Sequence, residues 1–203
     1  MKITRIEEQR KKDRVNVYIN GRFSFGLYKD TLINFHLYEG KEISEEEIVS
    51  IKEYEELVGA KEKARRYISY RERSKKEIEN YLKNKGIQEG IINKVLSDFE
   101  KVGLIDDRRF ALSWIKNRSN ANPKGRFAIK MELLYKGVPE NEMEDLLRSI
   151  DEKENARKAI EKAVRKYKGK PNKKEKVIEY LRRRGFEMST LREVVKEFFR
   201  NGS

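Results

Sequence analysis

Cysteine is absent from the chain, which excludes a disulfide framework, a thiolate metal site and a cysteine nucleophile. Histidine occurs once, at His36, so a histidine-built zinc site or a catalytic triad has almost nothing to draw on; His36 is read as structural. No apolar run approaches the roughly 18 residues that a membrane-spanning helix needs. The first residues also lack the basic-then-apolar layout of a secretory leader. There is no glycine-rich phosphate loop, and hence no sequence argument for ATP hydrolysis. The expectation is a soluble cytoplasmic protein that is not an enzyme and has no cofactor, metal or catalytic residues. Hydrophobic residues make up 37% of the chain against 41% charged. Apolar side chains must therefore be gathered on narrow helix faces, which favours small helical units over one large core. Ten Tyr, nine Phe and one Trp argue against disorder.

Positive charge is in excess, and it is unevenly placed. The formal net charge is +13. Residues 1–58 hold 10 Lys/Arg against 12 Asp/Glu, whereas residues 153–203 hold 17 against 7. The basic excess grows toward the C-terminus, which implies a polyanionic partner or a nucleoprotein surface.

One pattern is written three times. Aligned on Gly86, Gly137 and Gly185, the position four before is Leu82, Leu133 and Leu181, and eight before is Ile78, Ile129 and Val177. Six after come Ile92, Met143 and Leu191, and the register closes at Phe99, Ile150 and Phe198. These offsets place apolar residues on one face of each helix. The glycine-to-glycine steps are 51 and 48 residues, which marks an internal repeat. Ala64, Tyr67 and Ile68 mark the buried face of a preceding helix over residues 61–71. Their equivalents are Ala111, Trp114 and Ile115, then Ala156, Ala159 and Ile160.

Each repeat thus reads as three helices. Ser74 with Glu77, Asn122-Pro123, and Asn172 with Glu175 are assigned as caps of the second helix. The glycines stop it in the left-handed conformation.

The N-terminal region differs. Val15, Val17 and Ile19 alternate with polar residues, Phe23, Phe25 and Leu27 follow, and Asn20-Gly21 between them suits a type I′ turn. A β-hairpin over residues 14–27 is expected, with residues 3–6 as a third strand. A short helix over residues 29–37, capped by Asp30 and stopped by Gly40, should pack on it. Ser44 and Glu47 then form a capping box. The fold class is accordingly mainly α: tandem three-helix bundles, elongated and curved, behind a small N-terminal α/β region. The boundaries are 1–58, 59–105, 106–152 and 153–203.

Asp106-Asp107 is the one paired carboxylate that resembles a site. Two carboxylates could hold a divalent ion for phosphoryl chemistry, which would make the chain a metal-dependent nuclease. Asp106 also stands at a helix start, where Asp151 recurs, and capping explains it without a metal. The basic residues carry more. The first repeat offers Arg65, Arg66, Arg71, Arg73, Lys75 and Lys76; the second, Arg118, Lys124, Arg126 and Lys130. The third has Lys168, Lys170, Lys173 and Lys174 in its loop, and Arg182, Arg183 and Arg184 on the solvent side of its second helix. Cations clustered at helix starts stand beside backbone N–H groups and suit phosphate. Stand-alone DNA binding is the alternative to a nucleoprotein surface.

Three stretches, ARRYISYRERSKKEIENYLKNKG, GLIDDRRFALSWIKNR and AIKMELLYKGV, resemble the RecX family of recombinase regulators. The likeness is close over residues 60–150 and looser in the third repeat, where Leu181-Arg-Arg-Arg-Gly185 departs from the family's Leu-x-x-Lys-Gly. The resemblance implies tandem three-helix modules without catalytic activity. It also implies a monomer that binds the RecA filament, reaches single-stranded DNA through it, and inhibits ATP hydrolysis, strand exchange and filament growth, modulating recombination and DNA repair.

Overall fold

The structure, a computed structural model, describes residues 1–10 and 13–200. Two compact units divide it: Met1–Arg71 with Ile78–Val102, and Glu72–Glu77 with Gly103–Ser203.

The first unit opens with an antiparallel sheet in the order β1 (Ile3–Glu8), β2 (Arg14–Ile19), β3 (Arg22–Tyr28). Asn20 and Gly21 take φ of 51° and 79°, the left-handed pair that a type I′ turn requires. Ile3, Val15, Val17, Ile19, Phe25 and Leu27 face the core together with Ile43 and Ile51. Phe23 does not. A register shift after Val17 pairs Phe23 with Tyr18, so the bulge turns its ring outward against Tyr18, with centroids 5.9 Å apart.

The short helix α1 spans Lys29–Asn34, with Tyr28 rather than Asp30 at the cap position; Asp30 lies within its first turn. The helix ends well before Gly40. His36, at φ 47°, makes the turn and is exposed. Ser44 and Glu47 do form the capping box, and it opens α2 (Glu45–Ser69). This single 25-residue helix runs through the place where two helices were expected. Gly59 and Ala60 are buried within it rather than marking a break. The remaining core is made by α3 (Lys75–Lys83) and α4 (Glu89–Lys101), through Ile78, Leu82, Ile92, Val95, Leu96 and Phe99. Tyr67 and Tyr81 stack with centroids 4.1 Å apart.

In the second unit a middle module is built from α5 (Asp107–Asn120), α6 (Arg126–Tyr135) and α7 (Glu140–Arg148). A third module follows in α8 (Glu152–Lys166), α9 (Lys173–Arg183) and α10 (Met188–Arg200). The aligned positions fill both cores: Ile129, Leu133, Val138, Met143 and Leu147 in one, Val177, Leu181, Phe186, Leu191 and Val195 in the other. Asp106 caps α5 by accepting from Arg109 N at 2.8 Å, and Asp151 caps α8 by accepting from Glu154 N at 2.9 Å. The proposed caps of α6 and α9 are different. Gly125, not Asn122 or Pro123, stands before α6. Asn172 precedes α9 in a left-handed conformation, and its side chain makes no cap bond.

The starts of α3 and α6 are occupied by joints. The carbonyl of Lys136, just before Gly137, accepts from the buried Ser74 hydroxyl at 2.7 Å. At the equivalent place the carbonyl of Arg184, before Gly185, accepts from Gly125 N at 2.9 Å. Asp107 accepts from Lys75 N at 2.8 Å, and its counterpart Glu152 accepts from Arg126 N at 3.0 Å. A carbonyl and a carboxylate thus accept at equivalent places in both joints, the carbonyl from the Ser74 hydroxyl in one and from the Gly125 backbone N–H in the other, both within the second unit. Backbones come close enough that a Cβ on Gly125 would overlap the Gly185 carbonyl. Both carboxylates of Asp106-Asp107 are accounted for by a cap and a joint.

Candidate functional site

The first basic cluster is split between the units: Arg65, Arg66 and Arg71 in one, Arg73, Lys75 and Lys76 in the other. Arg65 pairs with Glu62 in its own helix at 2.5 Å. Arg66 points to solvent. The stem of Lys76 lies against Gly137.

In the middle module the cations are drawn into the structure. Glu132 accepts from Trp114 Nε1 at 2.8 Å and Arg118 Nε at 2.6 Å, and from Lys124 Nζ. Arg118 also lies over the Trp114 ring, 4.4 Å from its centroid. Burial pushes the Glu132 carboxyl up, but the bonds from Lys124, Arg118 and Trp114 outweigh it and hold the group below the usual range. Arg126 donates to the carbonyl of Ile150 at 3.2 Å, and Lys130 pairs with Glu140 at 3.2 Å.

The third module leaves more of its cations outside. Lys168, Lys170 and Lys174 are exposed, and Lys173 is half-buried. Arg182 and Arg183 lean toward Glu179 at 3.4 and 2.8 Å, yet their side chains remain 68% and 78% exposed. Arg184 is not on the solvent side of the run. Its guanidinium donates to Asn122 Oδ1 at 2.6 Å and to the carbonyl of Pro123 at 3.0 Å, which ties it to the joint.

Two features escaped the repeat alignment. Phe127, Met131 and Tyr135 form an exposed row along α6, legible as apolar residues at i, i+4 and i+8 that lie off the core register. Arg192, Lys196 and Arg200 form an equally spaced cationic row on α10.

The chain matches family models for the regulatory protein RecX N-terminal domain over residues 1–44 and for its first, second and third three-helix domains over residues 60–99, 106–147 and 151–195. It is 31% identical over 201 residues to a regulatory protein RecX of Limosilactobacillus reuteri, covering 97% of this chain and 76% of that one. The chain belongs to the RecX family of regulatory proteins. A RecX of Staphylococcus aureus is 33% identical over 201 residues, covering 97% of this chain and 74% of that one. Among solved structures, a crystal structure of regulatory protein RecX superposes with a TM-score of 0.78 at 30% identity, covering 96% of this chain and 98% of that one. RecX from Lactobacillus salivarius gives 0.60 at 28% identity over 70% of this chain and 96% of that one. The tandem three-helix architecture read from the glycine register is that of the RecX family. Among the described residues no helix is long and apolar enough to cross a membrane.

Proposed function

We propose that the chain binds the RecA recombinase on single-stranded DNA in the cytoplasm and, as a monomer without catalytic activity of its own, limits ATP hydrolysis, strand exchange and filament growth. The observation that carries this reading is family membership sustained across all three helical modules, the first and third of which turn cations outward. Contacts that are individually weak add up when tandem modules engage repeated subunits. Of the seventeen cations singled out in the sequence, those best placed to reach a partner are Arg66, Lys76, Lys168, Lys170, Lys174, Arg182 and Arg183. Arg118, Lys124 and Arg184 hold the fold together. Titrating the protein into recombinase on single-stranded DNA should lower the ATP hydrolysis rate; an unchanged rate at saturation would sink the idea.

The aromatic row on α6 favours a second reading, direct binding of single-stranded DNA through base stacking. That reading requires tight binding to naked DNA, with log affinity falling linearly in log salt.

A further inference from the structure

The second and third helices of the middle and third modules enclose the same groove. In the middle module it has a volume of about 300 Å³, and in the third about 390 Å³. The two linings differ chiefly in charge, although the middle groove also takes Phe127 and, from the third module, Glu187. The middle groove carries Arg126, Lys130 and Arg148 with Glu140, Glu144 and Glu187. These form pairs, Lys130 with Glu140 at 3.2 Å, Arg148 with Glu144 at 2.6 Å, and Arg126 within 3.9 Å of Glu187.

In the third module Met188 stands for Glu140, Arg192 for Glu144, and Ile178 for Lys130. The floor becomes continuous and apolar through Ile178, Met188, Leu191, Val195 and Phe199. The rim becomes Lys174, Arg192, Lys196 and Arg200, with no carboxylate among the lining residues. Helix α10 sorts its charges to this end. Glu193 and Glu197 lie on the side of α8, paired with Lys153 and Arg157 at 2.6 and 3.3 Å. Arg192, Lys196 and Arg200 recur every fourth residue along the other edge. Among the described residues none of the four rim cations has a carboxylate partner.

We propose that the groove between α9 and α10 docks an acidic, amphipathic peptide helix presented by a protein partner. Apolar anchors would enter the floor while flanking Asp or Glu side chains meet the cations, the helix-in-groove mode of recognition. Charge complementarity selects this occupant. A basic or neutral helix would leave four cations facing no opposite charge, and like-charge juxtaposition rejects basic partners. Single-stranded nucleic acid suits the rim but not the floor, which is mostly aliphatic and offers bases few aromatic faces to stack on. The proposal is separate from the recombinase reading, since it concerns the chemistry of the segment and not the protein that presents it.

The experiment is fluorescence anisotropy with a labelled helical peptide bearing Leu and Phe on one face and Glu on the other, titrated with the full chain. A second peptide has Ser at the anchor positions, and a labelled thymidine oligonucleotide serves as the third probe. The variant Met188→Glu/Arg192→Glu installs the middle module's carboxylates at two exposed positions. A thermal melt matching the parent shows that the fold is kept. The expected result is peptide affinity reduced by at least about tenfold in this variant, and a similar loss when Ser replaces the anchors. Equal affinity of parent and variant, indifference to the anchors, or binding of the oligonucleotide alone would each overturn the proposal.

Discussion

In the middle module Leu133, Met143 and Leu147 occupy the core positions that Leu181, Leu191 and Val195 take in the third, and all six are buried. Outside that register the two modules diverge. Around Glu132 the middle module gathers Arg118, Lys124 and Trp114, so its cations serve its own fold. The third module leaves Lys174, Arg182, Arg183 and the α10 row in solvent. A repeat constrains the residues that fill its interior and leaves surface charge free to vary, so copies with one fold can meet different partners.

The two modules should agree most strongly in their cores. Leu133→Ala and Leu181→Ala each remove a fully buried side chain and should each cost about 2–5 kcal/mol, measured by urea unfolding. A loss in one module and none in the other would break the equivalence. Next comes the joint. Gly125→Ala drives a methyl group into the Gly185 carbonyl and should cost about 1–3 kcal/mol. Amide exchange should show it most clearly at Gly125, whose N–H bonds to Arg184 O. Within the basic run, Arg184→Ala removes charge-assisted bonds to Asn122 and Pro123 and should lower stability by about 1–2 kcal/mol. Arg182→Ala should leave stability unchanged, because its pair with Glu179 is solvent-exposed. A double substitution of Arg182 and Arg183 to Glu should weaken filament binding more at low salt than at high salt.

The smallest effect concerns protonation. The Arg108 guanidinium donates two bonds to Asp145, at 2.9 and 2.5 Å, and lowers its carboxyl from 3.8 to about 2. A carboxyl depressed in the folded state contributes stability above its unfolded value and loses it as pH falls through the folded value. The Asp145 pair should therefore weaken between pH 4 and pH 2, and carboxyl NMR titration of Arg108→Ala should show the midpoint rising toward 3.8, the backbone N–H groups of Asp145 and Leu146 still holding it somewhat down. Glu132 shifts in the same direction, so the middle module should lose stability on acidification, a loss that Glu132→Gln reduces and leaves to Asp145 alone.

Much of the fold could be read in the sequence because glycine spacing and helical periodicity are local signals. The three glycines take φ of 75°, 78° and 73°, and the apolar positions counted from them are core. The cap of α6 was misassigned for a definite reason, whereas Asn172 does stand at the cap position of α9, without a side-chain cap bond. Asn122-Pro123 looks like a helix start locally, but residues 122–125 are held by Arg184, which lies some 60 positions away. A helix start near residue 61 was expected, yet α2 is continuous there, with Gly59 and Ala60 buried inside it. The charged surface was the least legible part. Arg118 and Lys124 are as basic on paper as Arg182 and Arg183, and only the position of Glu132 reveals that they are committed. Glu152 was missed although its place, following the capping Asp151 as Asp107 follows Asp106, was a usable signal.

The paired carboxylate and carbonyl at each joint have a consequence for how the second unit comes apart. Asp107 and Glu152 each begin a helix of one module while satisfying an orphan N–H at the start of a helix that precedes it. Melting either helix strands a donor or an acceptor in its neighbour. Each module's free energy thus includes a nearest-neighbour coupling, as in a linear Ising chain. The middle and third modules should consequently unfold in one step, and a cut in the exposed 168–171 loop should loosen helices on both sides of the joint.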